Sequence, residues 1–400
     1  MANLKLNAAA LQHNYTRLTE ILTPHNIDFG VVTKMLCGHP GFLQQVLDLG
    51  VTQLMDSRLT NLKAVRELAP HAQLGYIKPA APAWAEELVA VADFSLQSET
   101  ATLEALSKAA LRQGRIHDIW LMVELGDRRE GLSPDDVPEQ AERVTKLPGL
   151  RLVGLGANVH CLNGVLPSYD KLLNLKLLAQ LVELKTGCKL EVLSGGSTVT
   201  IPLALRDQIP AEINHLRLGE ALFFGADLFT GGLLPELRDD VFELETRIVE
   251  VSQKPILPEG TAVENPFGEI KELDESQYGE TRWQALVDIG ALDVSPETLT
   301  PLDSGIEVVG ATSDLLVVDL GPYPKRYPVN SRLRFRPNYM GVLHLMQSRY
   351  VEKHVTQSDQ HAHQEVLSTT PEMAPLPGQN PHVQPAPISS PALPTALPLN

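Results

Sequence analysis

Apolar and polar residues follow two patterns along this chain, and the pattern changes near residue 228. Before that point, stretches with an apolar residue every three or four positions are separated by short, continuous apolar runs. The first pattern is typical of amphipathic helices, and the second of strands buried on both faces of a parallel sheet. The first half of the chain is therefore predicted to alternate between helices and parallel strands.

Six stretches carry the helical spacing. They are residues 8–22, 58–68, 83–92, 99–112, 134–145 and 169–185. In the first stretch Leu11, Leu18 and Leu22 share one face, and Asn7 is placed to cap the N-terminus. Ser98 is placed to cap the fourth stretch in the same way.

Eight short apolar runs alternate with these helical stretches. They are residues 29–33, 53–55, 74–77, 94–96, 119–125, 152–158, 190–193 and 216–218. Eight parallel strands with intervening helices over roughly 220 residues are typical of a TIM-type (β/α)8 barrel. A doubly wound open sheet is the alternative that the same alternation allows.

From residue 229 onward, helical spacing is nearly absent and strand-like runs stand between turn-rich stretches. The runs are residues 241–251, 285–289, 305–309 and 315–320. They predict a C-terminal mainly-β domain over 229–355, after a barrel over 1–228, and residues 1–7 are expected to add a strand to the β domain. Residues 356–400 are rich in Pro, Ser, Gln and His, and a disordered tail is predicted there. The predicted fold class is α/β.

Composition narrows the class of protein. The chain is 43% hydrophobic and 20% charged, as expected for a soluble globular protein, and no apolar run is long enough to span a membrane. Three widely spaced cysteines, Cys37, Cys161 and Cys188, favour free thiols, and with no evident signal segment they predict a cytoplasmic location. The formal charge of −16 argues against a nucleic-acid partner. No CxxC or HExxH pattern occurs, so no metal is expected.

Three polar features, distant in sequence, are expected to meet at one end of the barrel. Lys34 follows the first predicted strand, the small-residue turn 194–198 follows the seventh, and Arg217 lies within the eighth. Barrel enzymes carry their active sites at the C-terminal ends of the strands, and a closed barrel places strand eight beside strand one. Taken singly, these features are also typical of a surface lysine, an ordinary tight turn and a structural ion pair.

Together the three features fit pyridoxal 5′-phosphate (PLP). Lys34 can form a Schiff base, and Arg217 can donate a hydrogen bond to a pyridine nitrogen without giving up its proton. Small residues in the turn let backbone N–H groups approach a phosphate, and loops after strands seven and eight are the usual phosphate site of this fold. The residues placed to hold the phosphate are Gly195, Gly196, Ser197, Thr198, Gly219 and Glu220.

The order of these motifs resembles the fold-type III PLP enzymes related to alanine racemase, and most closely their ornithine racemase-like branch. The motifs are residues 6–15, 33–38, 56–58, 124–131, 158–161, 194–198, 216–220 and 310–314. The resemblance covers residues 3–355. It implies that Lys34 carries PLP, that Arg217 binds the ring nitrogen, and that Arg129 orients the phenolic oxygen and the substrate. Asn158 stands where those enzymes place a ring-stacking histidine, and a head-to-tail homodimer is expected.

The resemblance leaves one catalytic group open. Alanine racemases keep a tyrosine base in a GYADG-like motif, whereas the matching stretch 289–293 has no tyrosine. Racemisation needs a second proton-transfer group beside Lys34. The candidates are His160, Cys161, Asp293 and Asp314, with Cys161 and His160 favoured.

The predicted function is that of an isomerase, a PLP-dependent amino acid racemase that exchanges the Cα proton of a cofactor-bound substrate. Ornithine or lysine is the expected substrate. The alternatives are a non-catalytic PLP-binding protein, a fold-type III aldolase and a fold-type III decarboxylase. A metal site that the aldolase would need has no clear His-x-Asp pattern in this chain.

Overall fold

The computed structural model describes residues 2–265, 268, 270, 274–322 and 326–357. Apart from residues 356 and 357, the predicted tail lies outside the described residues. The chain begins with strand β1 (Asn3–Asn7), followed by helix α1 (Ala8–Leu22). Asn7 caps α1 as predicted, because its side-chain oxygen accepts a hydrogen bond from the backbone N–H of Ala10 at 3.2 Å.

Eight parallel strands close into a barrel, in which the last strand pairs with the first. They are β2 (Asp28–Val32), β3 (Gln53–Asp56), β4 (Gln73–Tyr76), β5 (Phe94–Gln97), β6 (His117–Val123), β7 (Leu150–Ala157), β8 (Val192–Ser197) and β9 (His215–Leu218). The predicted fold class is confirmed. One strand boundary was wrong, because the predicted turn 194–198 is largely strand: Ser194 pairs with His215, and Ser197 pairs with Arg217.

A helix follows each barrel strand. The helices are α2 (Pro40–Asp48), α3 (Leu59–Leu68), α4 (Ala85–Val91), α5 (Thr100–Arg112), α6 (Val137–Thr145), α7 (Tyr169–Thr186), α8 (Ile201–Ala204) and α9 (Glu220–Phe224). Three of these helices were not predicted from the sequence: α2, α8 and α9. The predicted cap Ser98 is also wrong, because α5 begins one residue later than expected, with Glu99 at the N-cap position and no side-chain cap.

The lower half of the barrel interior is closed by apolar side chains. Met55, Phe94, Trp120 and Val153 form what we call the barrel floor, and all four are nearly inaccessible to solvent. The rings of Phe94 and Trp120 stack with their centroids 4.5 Å apart. Gly75 leaves the space for this packing, because a Cβ there would lie 2.2 Å from the Phe94 ring.

The second half of the described chain forms short and long strands around an antiparallel sheet. They are β10 (Ala226–Asp227), β11 (Gly232–Leu233), β12 (Phe242–Pro255), β13 (Thr281–Val287), β14 (Leu299–Pro301), β15 (Glu307–Ala311), β16 (Leu316–Asp319), β17 (Arg332–Pro337) and β18 (Glu352–Thr356). The sheet runs in the order β14-β17-β12-β13-β16-β15, and β1 pairs with both β12 and β18. A further helix, α10 (Tyr339–Gln347), corrects the expectation that this half lacks helices.

Within the described ranges, every helix is too short or too polar to cross a lipid bilayer.

Candidate active site

Lys34 lies at the mouth of the barrel because the end of β2 is anchored on β3. The backbone N–H of Thr33 donates to the Met55 carbonyl at 2.9 Å, and its hydroxyl donates to Asp56 Oδ2 at 3.0 Å. Lys34 then begins a short 3-10 turn and lines the cavity at the C-terminal ends of the strands. Its Nζ lies 5.7 Å from the centre of the Tyr339 ring.

Asp56 is the buried brace beneath this turn. Its carboxylate also accepts hydrogen bonds from the backbone N–H of Arg58 at 2.9 Å and from the Asn61 amide at 3.1 Å. Burial raises the pKa of Asp56 to about 6, although these hydrogen bonds act in the other direction. The loop after β3 is therefore tied both to its own helix and to the residue that precedes Lys34.

Arg217 is a buried cation on the inner face of β9, with only 5% of its surface exposed. Its guanidinium donates to Ser194 Oγ at 2.6 Å, to the Ala157 carbonyl at 2.7 Å and to Asn158 Oδ1 at 3.3 Å. All three acceptors are neutral, and no ion pair joins Arg217 to a carboxylate in the described part of the chain. Burial lowers its pKa to about 10, so it remains charged at neutral pH.

A chain of hydrogen bonds leads from Arg217 down into the barrel. Ser194 Oγ lies 3.1 Å from His215 Nδ1, and His215 Nε2 lies 2.7 Å from Gln53 Oε1, whose amide nitrogen donates to Gln73 at 2.9 Å. Burial, and then the charge of Arg217, lower the pKa of His215 to about 3, so the ring is neutral. Because Gln53 presents an oxygen, Nε2 carries the proton and Nδ1 accepts from Ser194.

The cavity at the barrel mouth has a volume of about 730 Å³. Ten of the residues predicted for the site line it: Lys34, Arg129, Asn158, His160, Cys161, Ser197, Thr198, Arg217, Gly219 and Glu220. Four polar residues of the wall were not predicted for the site: Ser57, Lys78, Glu130 and Tyr339.

Tyr339 is the missed residue with a recognisable signal. It begins α10, and Asn338 caps that helix by accepting the backbone N–H of Gly341 at 3.0 Å. An Asn followed by apolar residues at helical spacing, here Val342, Leu345 and Met346, is a helix-start pattern. Interpreting the whole surrounding region as strands hides this helix start.

Gly195 and Gly196 lie behind the cavity wall instead of on it. A Cβ on Gly195 would lie 2.6 Å from a methyl group of Ile213. Gly196 has a φ of +121°, and a Cβ there would lie 2.7 Å from the hydroxyl of Thr200. Their small size therefore serves the close packing at the end of β8, and Ser197 and Thr198 are the residues of this segment that line the cavity.

Two of the predicted acids lie away from the cavity of their own chain. Asp293 Oδ1 accepts a hydrogen bond from Ser348 Oγ at 2.5 Å, and Asp314 is exposed and bonded to Ser313 at 2.8 Å. Both acids were named as candidates for the second proton-transfer group, and that role stays a prediction. In the described residues, no group of three or more His, Cys, Asp or Glu side chains is arranged to hold a metal ion.

The donors around the cavity fit PLP. The hydroxyl of Thr198 accepts the Ala221 N–H at 3.0 Å, which leaves its own hydrogen free to donate. Ser197 stands beside it on the wall, and the first N–H groups of α9 have no helical acceptor. These groups suit the phosphate of PLP. The buried guanidinium of Arg217 suits its ring nitrogen, and the primary amine of Lys34 suits its aldehyde.

The two carboxylates of the cavity differ in their surroundings. Glu130 forms a two-pronged ion pair with Arg129. The Glu220 carboxylate forms no hydrogen bond or ion pair with a described residue, and burial raises its pKa while Lys34 and His160 oppose that shift. Glu220 is thus the cavity carboxylate that is available to a ligand.

Cys161 is held in the wall by the same residue that touches Arg217. The Asn158 amide receives a hydrogen bond from Arg217 on its oxygen and donates one to Cys161 Sγ at 3.1 Å. His160 precedes Cys161 with a φ of +80°, a left-handed conformation that is uncommon for a residue with a Cβ.

Comparison with known proteins agrees with this geometry. Residues 6–227 match the family model for the N-terminal domain of alanine racemase. Ornithine racemase of Acetoanaerobium sticklandii is 31% identical over 344 residues, which are 86% of this chain and 96% of that protein. Lysine racemase of Thermotoga maritima is 27% identical over 350 residues, 88% of this chain and 97% of that protein.

The alanine racemase structure of Clostridium difficile 630 has the same fold, with a TM-score of 0.66 at 15% identity, over 89% of this chain and 95% of that one. The predicted family resemblance is confirmed. The chain belongs to the alanine racemase family of fold-type III proteins and is an enzyme of the racemase class.

Proposed function

We propose that this protein is a PLP-dependent amino acid racemase whose substrate is ornithine or lysine. The observation that carries the proposal is that Lys34 and Arg217 line one cavity at the barrel mouth. The two relatives named ornithine racemase and lysine racemase support the substrate class.

Six residues would hold the cofactor. Lys34 would bind it covalently through its amine, and Arg217 would donate to the ring nitrogen. Ser197, Thr198 and the backbone amides at Gly219 and Glu220 would hold the phosphate. When bound, PLP acidifies the Cα–H bond of an amino acid by withdrawing electrons from it.

Arg217 tunes this chemistry by keeping its proton. With a pKa of about 10, the guanidinium donates a hydrogen bond at neutral pH and does not protonate its partner. An unprotonated ring nitrogen withdraws electrons only moderately. That favours simple proton exchange at Cα over transamination, which needs a long-lived carbanion.

Two groups then move the proton. Once the amino group of the substrate has displaced Lys34 from the cofactor, the free Lys34 amine would take a proton from one face of Cα, and the Cys161 thiol would deliver a proton to the other face; the roles would reverse for the other enantiomer. Cys161 is favoured over His160 because an N–H donor from Asn158 fixes its sulfur.

Glu220 supports a substrate with a second amino group. Glu130 is already paired with Arg129, so Glu220 is the carboxylate that can accept the terminal ammonium group of ornithine or lysine. The negative charge of Glu220 is also partly buried, and a cation beside it offsets the cost of that burial.

We also propose a homodimer in a cytoplasmic setting. The homodimer is supported by the family, because fold-type III racemases are generally head-to-tail dimers in which the β domain of one subunit completes the site of the other; Asp293 would then be a candidate group in the cavity of a second copy. Light scattering on the purified protein measures the mass, and a monomer at working concentration would contradict the proposal.

The substrate is tested by incubating PLP-loaded protein separately with L-ornithine, L-lysine and L-alanine. Chiral chromatography should show D-ornithine or D-lysine approaching an equal mixture of enantiomers, with slower conversion of alanine. If cofactor is bound and none of the standard amino acids or ornithine is converted, the racemase proposal fails and a non-catalytic PLP-binding role is favoured.

A further inference from the structure

Two loops form the side of the cavity that carries Arg129 and Cys161. The first loop follows β6 and contains Arg129 and Glu130, and the second follows β7 and contains His160 and Cys161. Residues 161–164 of the second loop are exposed to solvent, so apolar packing alone does not fix them.

Asp127 joins these loops. Its carboxylate accepts hydrogen bonds from the backbone N–H groups of Leu162 at 3.0 Å, Asn163 at 3.0 Å and Val165 at 3.5 Å. The Asn163 side chain returns a bond to the Asp127 carbonyl at 2.7 Å. Asp127 itself has no exposed surface. One carboxylate therefore sets the path of the residues immediately after Cys161.

The charge of Asp127 and the backbone conformation around it both indicate that its carboxylate holds the loop after β7 in place. Burial alone would raise the pKa of Asp127, but the backbone N–H groups lower it below its ordinary value, so the carboxylate is ionised at neutral pH. Arg128 and His160 both have positive φ angles, of 58° and 80°. Such conformations persist in residues with a Cβ only where their surroundings hold them.

We propose that Asp127 is a positioning residue that places the Cys161 thiol for proton transfer. The inference rests on the proposed function, since it assigns Asp127 to the second proton-transfer group. It acts through the loop backbone and not on Lys34 or Arg217, which are anchored on other strands. Loss of the carboxylate should therefore separate the two proton transfers from each other.

The test uses the full-length, PLP-loaded protein and the variants Asp127→Asn and Asp127→Ala. Asn keeps one acceptor oxygen, so Asp127→Asn should fold even if the alanine variant does not. Asp93→Asn is the matched control. Asp93 also accepts a backbone N–H, from Leu74 at 2.8 Å, but it precedes β5 at the opposite end of the barrel.

The first readout is amide hydrogen exchange measured by mass spectrometry. Peptides that cover residues 160–165 should exchange several-fold faster in both Asp127 variants, while peptides around Lys34 and Arg217 stay unchanged. This readout does not require that the enzyme be a racemase. Unchanged exchange of residues 160–165 in Asp127→Ala would overturn the proposal.

The second readout follows each enantiomer of ornithine in D₂O. Misplacing a reacting group by about 1 Å costs on the order of 100-fold in rate. Inversion should fall by about that factor, whereas deuterium exchange at Cα of the enantiomer served by Lys34 should persist without inversion, with cofactor affinity unchanged.

Two results would contradict a positioning role. Inversion and exchange could fall together as cofactor is lost, or Asp93→Asn could reproduce the effect; either would show that Asp127 is merely structural. If the wild-type protein racemises no substrate, the proposed function fails, and amide exchange alone then decides whether Asp127 holds the loop.

Discussion

The mouth and the floor of the barrel are built from the same eight strands but hold opposite chemistry. At the mouth, Lys34, Arg129 and Arg217 surround a cavity of about 730 Å³. At the floor, the rings of Phe94 and Trp120 stack with their centroids 4.5 Å apart, and the rings of Trp120 and His215 pack edge to face with their centroids 4.9 Å apart. Along a single strand, the charged mouth and the apolar floor are only two residues apart.

Strand β9 shows how the change is made. His215 and Arg217 are two residues apart and face the same way, as the alternation of a strand requires. Burial keeps His215 neutral, with a pKa of about 3. Arg217 keeps its charge and donates its hydrogen bonds to neutral acceptors. On this strand, Arg217 is charged where a ligand can reach it, and His215, deeper in the barrel, is neutral.

The largest effect is expected at the mouth, from Cys161→Ala. Removing the proposed proton-transfer group should lower kcat for racemisation by about 10²- to 10⁴-fold, with unchanged cofactor binding and unchanged thermal stability. Cys188→Ala is the control, since Cys188 does not line the cavity. Racemisation by Cys161→Ala at the wild-type rate would remove Cys161 from the mechanism and leave His160 as the candidate.

A substitution in the barrel floor should lower stability and leave activity nearly unchanged. Trp120→Ala is expected to cost about 3–5 kcal/mol in the free energy of unfolding, because it leaves a cavity beside Phe94. Urea unfolding measures this, with the partly exposed Trp283→Ala as the control. Activity per folded molecule should change little. A large loss of activity without loss of stability would show that mouth and floor are not separate in function.

Glu220→Gln tests whether a carboxylate at the mouth binds the terminal ammonium group of the substrate. A hydrogen bond to a charged group contributes about 1.5–3 kcal/mol, so kcat/KM for ornithine should fall by roughly 10- to 100-fold. Norvaline has the same carbon chain without the terminal ammonium group and should be affected far less. Equal losses for both substrates would show that Glu220 serves the cofactor and not the substrate side chain.

The smallest effect for a single step, about 1.4 kcal/mol for each pH unit, concerns the pH dependence of stability. Folded His215 stays neutral down to about pH 3, whereas the unfolded chain takes up this proton near pH 6.5. The contribution of His215 to the free energy of unfolding is therefore complete above about pH 6.5 and is lost as the pH falls towards 3. His215→Gln should flatten the fall in unfolding free energy by about 1.4 kcal/mol per pH unit within that window.

Denaturant titrations between these two pH values test the His215 prediction as a difference from wild type. The difference matters because Asp56 acts with the opposite sign. Its pKa is raised to about 6, so its contribution is lost as the pH rises through that value. Identical pH profiles for wild type and His215→Gln would contradict a neutral, buried ring.

What the sequence predicts well in this protein is what strand periodicity determines. Lys34 and Arg217 were assigned to one end of the barrel because the C-terminal ends of parallel strands share an edge, and both line the cavity. The predicted glycine turn failed in detail, because an irregular register extends β8 through Ser197.

Contacts made through loops could not be predicted from the sequence. The bond from Asn158 to Cys161 depends on the left-handed backbone of His160, and the grip of Asp127 on Leu162 joins residues 35 positions apart. Neither follows from periodicity. Tyr339 could have been found from its helix-start pattern, but its approach to Lys34 depends on the packing of α10 against the turn that begins at Lys34.

The site at which PLP attaches covalently shows most directly whether Lys34 is the lysine that binds the cofactor. Protein incubated with PLP and reduced with borohydride should carry the cofactor on the peptide that contains Lys34, as seen by mass spectrometry. Lys34→Ala should lose both the label and the visible absorbance, and Arg217→Met should keep the label but bind PLP more weakly. Labelling of a different lysine, such as Lys78, in the wild-type protein would contradict the account.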